Sequence, residues 1–141
     1  HWSVIKTGIH SSLQAVTFVN HRTGWAVGGY GAVLRTDDAG ASWTYQDTKK
    51  EYQGFRSDEL FTTVFFADTL RGILLGTRGV MTRTTDGGTT FIDGPLPSEN
   101  VLLDMAFTDA KQGWIVGYEG ALLRTTDGGK RWSPVRARPA R

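Results

Sequence analysis

Residues 24–36 read GWAVGGYGAVLRT, and the pattern occurs twice more, as GILLGTRGVMTRT at residues 72–84 and GWIVGYEGALLRT at residues 113–125. A phenylalanine precedes each copy, and the three glycines follow it at offsets of 6, 10 and 13 residues. Spacing that is kept through three copies in one chain indicates tandem structural repeats. The repeat therefore decides the fold prediction for the whole sequence.

Each copy closes on a second signature, Thr-x-Asp-x-Gly-x-x followed by an aromatic residue. An Asp with a Gly two residues later is typical of a tight turn, because the carboxylate accepts backbone N–H bonds and Gly takes a positive φ. We predict that the aromatic residue then enters the core, so the signature has a structural role. Its members are Asp38, Gly40 and Trp43, then Asp86, Gly88 and Phe91, then Asp127, Gly129 and Trp132.

Short alternating segments within each copy predict strands, and no window keeps a helical period. First strands are predicted at residues 13–19, 61–67 and 101–108, second strands at 24–28, 72–76 and 113–117, and third strands at 32–36, 80–84 and 121–125. Fourth strands begin at the aromatic residue after each turn. Four short strands in about 40–50 residues are the size of a β-propeller blade.

Trp2 lies in the same register, 41 residues before Trp43, as Phe91 lies 41 residues before Trp132. The sequence therefore predicts an all-β fold of three four-stranded antiparallel propeller blades plus one extra outer strand. We place the blades at residues 13–47, 61–94 and 101–137 and the extra outer strand at residues 2–7.

Propellers close into rings of about four to eight blades, and three blades would leave apolar flanks uncovered. Either the chain is excised from a longer protein, or its copies assemble. A homodimer that forms a six-bladed ring is the simplest closed assembly, and a nine-bladed trimer is less favourable. In a dimer two fourth strands would be surplus, so we expect the strand at Trp2 or that at Trp132 to be displaced or re-paired at the joint.

The composition of the chain argues against several classes of function. The chain has no cysteine, a formal net charge of +2, and four arginines among its last eleven residues. No apolar run approaches membrane-spanning length, and a basic tail alone is weak support for a nucleic-acid partner. We expect no membrane span, nucleic-acid partner, cofactor or metal site. No signal peptide is visible, and the chain begins with His1 instead of Met, so localisation stays open.

Candidate binding residues vary between copies on the loops that join the second and third strands. They are Tyr30, Arg78, Tyr118 and Glu119. A longer connection at residues 47–59 adds Tyr52 and Phe55 as a candidate contact loop. Drift on exposed loops, or aromatic residues packed on their own blade, would give the same pattern.

The positions of the repeated charged residues argue against a catalytic function. The arginines Arg35, Arg83 and Arg124 hold one repeat position in successive copies, so they are spread around a ring and do not converge on one substrate carboxylate. The repeated aspartates lie in turns, where they cannot face each other across a sugar. The three histidines show no metal-ligand spacing. We predict that the protein is not an enzyme.

The string from Gly113 to Gly129 resembles the BNR or Asp-box repeat, in particular that of the photosystem II stability and assembly factor family. Related repeats occur in sialidases, sortilin-type receptors and some xyloglucan-cleaving glycosidases. The resemblance implies a seven-bladed propeller in which repeat arginines form a basic patch that binds photosystem precursor proteins. Arg35, Arg83 and Arg124 match that arginine position, whereas this chain supplies three blades.

Three functions stay open from the sequence. The first is a non-catalytic scaffold that binds a protein partner, as the resemblance implies. The second is a carbohydrate-binding or glycosidase-derived module that uses Tyr30, Tyr118 and Trp side chains as sugar platforms. The third is a truncated gene product without activity of its own.

Overall fold

The computed structural model describes residues 2–46, 60–76, 81–94 and 101–140. Tyr52, Phe55 and Arg78, which the sequence suggests as contact residues, lie outside the described residues. Within the described part the elements are strands and one 3-10 turn, Tyr118–Gly120. The all-β prediction is therefore confirmed.

Three four-stranded antiparallel sheets form, each in chain order from first to fourth strand. We call them the first, second and third blade. The first blade comprises β1 (Leu13–Phe18), β2 (Gly24–Gly28), β3 (Val33–Thr36) and β4 (Thr44–Gln46). The second comprises β5 (Phe61–Phe66), β6 (Gly72–Gly76), β7 (Met81–Thr84) and β8 (Ile92–Gly94). The third comprises β9 (Leu102–Phe107), β10 (Gly113–Gly117), β11 (Leu122–Thr125) and β12 (Ser133–Pro134).

The blades pack face to face through two apolar clusters. Alternate residues of a strand point to opposite faces, so each central strand contributes to both of its flanks. The cluster between the first and second blades contains Trp25, Val27, Val33 and Phe66, all buried. The cluster between the second and third blades is built in the same way around Ile73 and Ile115, among others. Each blade is thus stabilised mainly by its neighbour.

Strand register separates the turns into two ends. Gly28 pairs with Leu13, so the β2–β3 hairpin lies at the end where the chain enters β1. Gly24 pairs with Thr36, so the turn after β3 lies at the other end, next to the β1–β2 turn. A hydrogen bond from Ala39 N–H to Arg22 C=O (2.9 Å) joins these two turns. We call the two ends the hairpin end and the Asp-box end.

Residues 2–7 differ from the prediction, because the structure assigns no strand to them and Trp2 is 98% exposed. A fourth strand needs the third strand of its own blade as partner. Among the described residues each third strand already pairs with its own fourth strand: β3 with β4, β7 with β8 and β11 with β12. Within the described part of the chain, no strand edge of that kind is therefore left for residues 2–7.

Strand boundaries also differ slightly. The third strands of the first and third blades begin one residue later than predicted, at Val33 and Leu122. In the first blade the reason is visible, since Ala32 N–H closes the hairpin turn on Gly29 C=O at 3.1 Å. Pro134 lies in the outer strand β12, opposite Leu123. An outer strand tolerates proline because one side of it forms no ladder bonds.

Candidate functional site

The Asp-box turns share one hydrogen-bond arrangement. In the first blade the buried Thr36 hydroxyl donates to Asp38 (2.8 Å) and accepts from Gly40 N–H (2.9 Å). Asp38 in turn accepts the backbone N–H of Ser42 at 2.8 Å. Thr84 and Thr125 repeat both hydroxyl bonds at the same distances. The carboxylates of these turns are therefore engaged within the turn.

These bonds lower the pKa of the turn aspartates. The pKa of Asp38 falls from 3.8 to about 2, chiefly because the Ser42 hydroxyl and backbone N–H donate to its carboxylate. The pKa of Asp127 is lowered chiefly by the backbone N–H of Arg131. A carboxylate held in its ionised form by local donors is a poor general acid. The pKa shifts thus agree with a structural role for the turns.

A second set of repeated turns was not assigned a role from the sequence. Asn20, Asp68 and Asp109 begin the turns between the first and second strands. Each side chain accepts two backbone N–H bonds, as Asn20 does from Arg22 and Thr23 at 2.8 Å. The Asn or Asp two positions after each repeat phenylalanine is the sequence pattern that could have predicted these turns. These turns lie next to the Asp-box turns and accept backbone N–H bonds from them, as Arg22 C=O does from Ala39 N–H.

Arg35 lies at the joint between the first and second blades. Its guanidinium contacts Asp37 through two nitrogens and donates from Nη1 to Gly87 C=O of the second blade at 3.1 Å. It also lies over the ring of Trp25, 5.3 Å from the centroid. Trp25 Nε1 donates to the same Gly87 carbonyl at 3.0 Å. Arg35 therefore couples two blades.

The equivalent arginines have different surroundings. Arg83 is half-buried, and its Nε has no hydrogen-bond partner within the described part of the chain. Arg124 is exposed, lies 5.9 Å from the centroid of Trp114, and donates to Gln112 Oε1 at 3.2 Å. The three arginines hold one register position, opposite the second residue of the central strand. They do not meet at one point.

The hairpin end carries exposed aromatic side chains on strained turns. Tyr30 has φ 56° and Glu119 has φ 58°, a backbone region that residues other than Gly rarely adopt. Each is followed by a glycine with positive φ, and the turns close through Ala32 N–H and Ala121 N–H. Tyr30 is 66% exposed and Tyr118 is 56% exposed. The structure thus places these three candidate residues at one end of the blades.

Across residues 2–46, 60–76, 81–94 and 101–140, no three His, Asp or Glu side chains cluster closely enough to hold a metal ion. In the same part of the chain, no helix has the length and apolar character needed to cross a membrane.

Comparison with known proteins decides the family. The family model described as Photosynthesis system II assembly factor YCF48 matches residues 1–91 and 93–139. The chain belongs to the YCF48 family. No curated protein matches the sequence. The proteins of this family are non-catalytic assembly factors.

Two solved structures show how far the likeness extends. One, described as "YCF48 bound to D1 peptide", is 25% identical, has a TM-score of 0.81, and aligns over 94% of this chain and 42% of its own. YCF48 from Cyanidioschyzon merolae is 26% identical, has a TM-score of 0.76, and aligns over 88% of this chain and 39% of its own. The three sheets therefore match part of a YCF48 propeller, and this chain spans about two fifths of those relatives.

Proposed function

We propose that this protein is a non-catalytic propeller scaffold that binds a protein segment at the hairpin end of its blades. The observation that carries the proposal is the match to YCF48 bound to D1 peptide over 94% of this chain. The chain spans 42% of the length of that relative, and we therefore propose peptide binding for this chain.

The hairpin end supports protein contact on physical grounds. Tyrosine offers a large amphipathic surface at a low cost in side-chain entropy, and it is enriched in binding surfaces. Tyr30 occupies a positive φ, where Gly or Asn would cost less, and its ring stays in solvent. Glu119 pays the same backbone cost beside Tyr118. Backbone strain of this kind is a recurrent feature of functional turns.

The repeat arginines remain a second proposal for partner contact. The family resemblance implies a basic patch formed by Arg35, Arg83 and Arg124. Arg35 faces the second blade and is engaged by Asp37 and Gly87, so its removal would disturb the fold along with any patch. Arg124 is exposed, and Arg124→Ala is therefore the cleaner test of that contact.

Carbohydrate binding is a second candidate function. Exposed tyrosine rings can stack on sugars, and Tyr30 and Tyr118 are both exposed. The peptide proposal is favoured because a YCF48 relative is known with a peptide bound.

We also propose that copies of the chain complete the scaffold, as a homodimer with six blades. In such a ring the hairpin ends of all blades lie on one face. That arrangement would give a partner segment a continuous surface.

Binding of a fluorescently labelled D1 peptide, measured by anisotropy against a scrambled peptide, tests the function. We expect the D1 peptide to bind, and Tyr30→Ser and Tyr118→Ser each to weaken binding about tenfold, in the range of interface hot spots. The matched control is Ile92→Ser, which removes an exposed apolar side chain from the outer strand β8. Equal binding of both peptides, or of all variants, would overturn the proposal. A glycan-array signal without peptide binding would favour the carbohydrate function.

A further inference from the structure

The two outer flanks of the blade stack carry uncovered apolar side chains. On the third blade, Trp114 and Val116 face away from the second blade beside the exposed Arg124, and we call this the Trp114 flank. On the first blade, Val16 and Phe18 face away from the second blade, and we call this the Phe18 flank. Val16 is 62% exposed and Phe18 is 44% exposed. Apolar groups grouped in this way mark an interaction surface.

The joint between the first and second blades shows what such flanks bind. Trp25 of the first blade stacks on Phe66 of the second, with centroids 3.5 Å apart and planes within 1°. Its Nε1 donates to Gly87 C=O in the Asp-box turn of the second blade. Val64 of the second blade is buried in the same cluster. One blade therefore supplies a Trp and an Arg, and the next supplies a Phe, a Val and a turn carbonyl.

The positions of these residues in the repeat show that the two flanks correspond to the two sides of that joint. Trp114 holds the position of Trp25, and each lies opposite the repeat arginine. Phe18 holds the position of Phe66, because each is the last residue of its first strand and lies against the first glycine of the second strand. Ala39 holds the position of Gly87 in the Asp-box turn. The Trp114 flank is one half of a blade joint, and the Phe18 flank is the other half.

Charge and shape agree with this pairing. Beside Arg124 lies a groove of about 650 Å³ that is also lined by Arg131, Val135 and Arg136. Val135 holds the position of Gln46, which lies against the Asp-box turn of the second blade near Gly88. The groove is therefore where the Asp-box turn of a following blade would lie. The turn of the first blade carries two acidic residues, Asp37 and Asp38, whereas each of the other two turns carries one.

The Phe18 flank offers a complementary apolar surface. A groove of about 420 Å³ is lined there by apolar side chains that include Val16, Ala26 and Leu34. Thr7 of the leading segment borders it. The equivalent surface of the second blade is buried under Trp25, Val27 and Val33 of the first.

We propose that the Trp114 flank of one copy of this chain docks on the Phe18 flank of a second copy and repeats the internal blade joint. Trp114 stacks on Phe18 of the second copy, and Trp114 Nε1 donates to Ala39 C=O of that copy. The Cβ of Ala39 occupies space that the Arg35 guanidinium takes beside Gly87, so Arg124 turns toward Asp37 and Asp38 instead. The contact is head-to-tail, and two such joints close a six-bladed dimer, within the usual range of propeller sizes.

Sedimentation velocity on the 141-residue chain, without any peptide, tests the proposal. We expect a species of about 31 kDa, twice the 15.5 kDa of one chain, at micromolar concentration. Trp114→Ala and Val16→Asp should each raise the dimer dissociation constant at least tenfold, because one removes a stacked ring and the other places a charge in the joint. Both residues are partly exposed in one copy, so each variant should fold, as circular dichroism will check. Ile92→Ser is the matched control and should leave the mass unchanged.

Mixing the two variants tests the head-to-tail geometry. A mixed dimer has one intact joint, formed by Trp114 of the Val16→Asp chain and Val16 of the Trp114→Ala chain. Both substitutions then fall in the other joint, where the second change costs little once the first has broken the contact, so we expect a one-to-one mixture to associate more tightly than either variant alone. A 15.5 kDa species for the unaltered chain, or variants that fail to complement each other, would overturn the proposal. The inference rests on the proposed homodimer, and since no peptide is present its failure is separate from failure of peptide binding.

Discussion

The indole ring of Trp25 in the first blade lies flat on the phenyl ring of Phe66 in the second, 3.5 Å between centroids. The indole N–H reaches past Phe66 to Gly87 C=O in the Asp-box turn of the same neighbouring blade. One side chain thus joins the apolar cluster between the blades to the turn at their end. The Asp-box turn serves two blades, its own through Thr84 and the preceding one through Gly87.

Replacing Trp25 tests this coupling. Trp25 is fully buried, so Trp25→Ala removes the stack and leaves a cavity, and we expect a loss of about 3–5 kcal/mol in the free energy of unfolding. Trp25→Phe keeps an aromatic ring and removes the N–H donor, and should cost about 1–2 kcal/mol. Urea denaturation followed by circular dichroism measures both. Equal costs for the two variants would show that the ring stack contributes little.

Arg35 is expected to contribute to stability. Its contacts to Asp37, to Gly87 C=O and to the Trp25 ring predict a loss of about 1–2 kcal/mol in unfolding free energy for Arg35→Ala. Arg71→Ala is the matched control, because Arg71 also pairs with an aspartate, Asp68, but is largely exposed. Its cost should stay below about 1 kcal/mol. A smaller loss for Arg35→Ala than for Arg71→Ala would contradict the blade-coupling role.

The buried threonine of the Asp box is the next test. Thr84→Val keeps the shape of the side chain and leaves the buried Gly88 N–H without its acceptor. An unsatisfied buried donor costs about 1–3 kcal/mol, so the melting temperature should fall. Thr44→Val, on the exposed outer strand β4, should change stability by less than about 0.5 kcal/mol. A neutral Thr84→Val would show that the hydroxyl does not hold the turn.

Acid titration tests the turn electrostatics. The pKa of Asp38 is about 2 in the folded chain and near 3.8 when its hydrogen bonds are lost. Its stabilising contribution is therefore complete above about pH 3.8 and is lost as the pH falls through about 2. Ser42→Ala removes the largest cause of the shift, so the pKa of Asp38 should rise toward 3.8.

Carboxyl-detected NMR can measure that pKa for each aspartate. Asp127 is the internal control, because its principal donor is the backbone N–H of Arg131, and its pKa should not respond to Ser42→Ala. An Asp38 pKa near 3.8 in the unaltered chain would contradict the hydrogen-bond arrangement of the turn.

Much of the fold could be predicted from residue spacing. The offsets from Phe18 to its glycines determine which residues pair, since Gly24 must lie against the Phe18 ring. The role of Asp38 followed from its short side chain two residues before Gly40. The structure assigns no strand to residues 2–7, because register alone does not supply a partner strand.

The candidate site was harder to predict. The repeat showed that Arg35, Arg83 and Arg124 share a position, but periodicity does not reveal whether a neighbouring blade covers that position. Arg35 of the first blade donates to the second blade, whereas Arg124 of the third blade is exposed. The positive φ of Tyr30 and Glu119 was also not predictable, because glycines next to them could have carried the turn alone.

Amide chemical-shift mapping with unlabelled D1 peptide tests whether the peptide binds at the hairpin end of the blades. We expect the shifts to concentrate at the hairpin end, at Gly29, Gly31, Tyr118 and Gly120, while the Asp-box glycines Gly40, Gly88 and Gly129 stay unchanged. Shifts confined to the Asp-box end, or no shifts at saturating peptide, would contradict a peptide-binding scaffold that uses its hairpin loops.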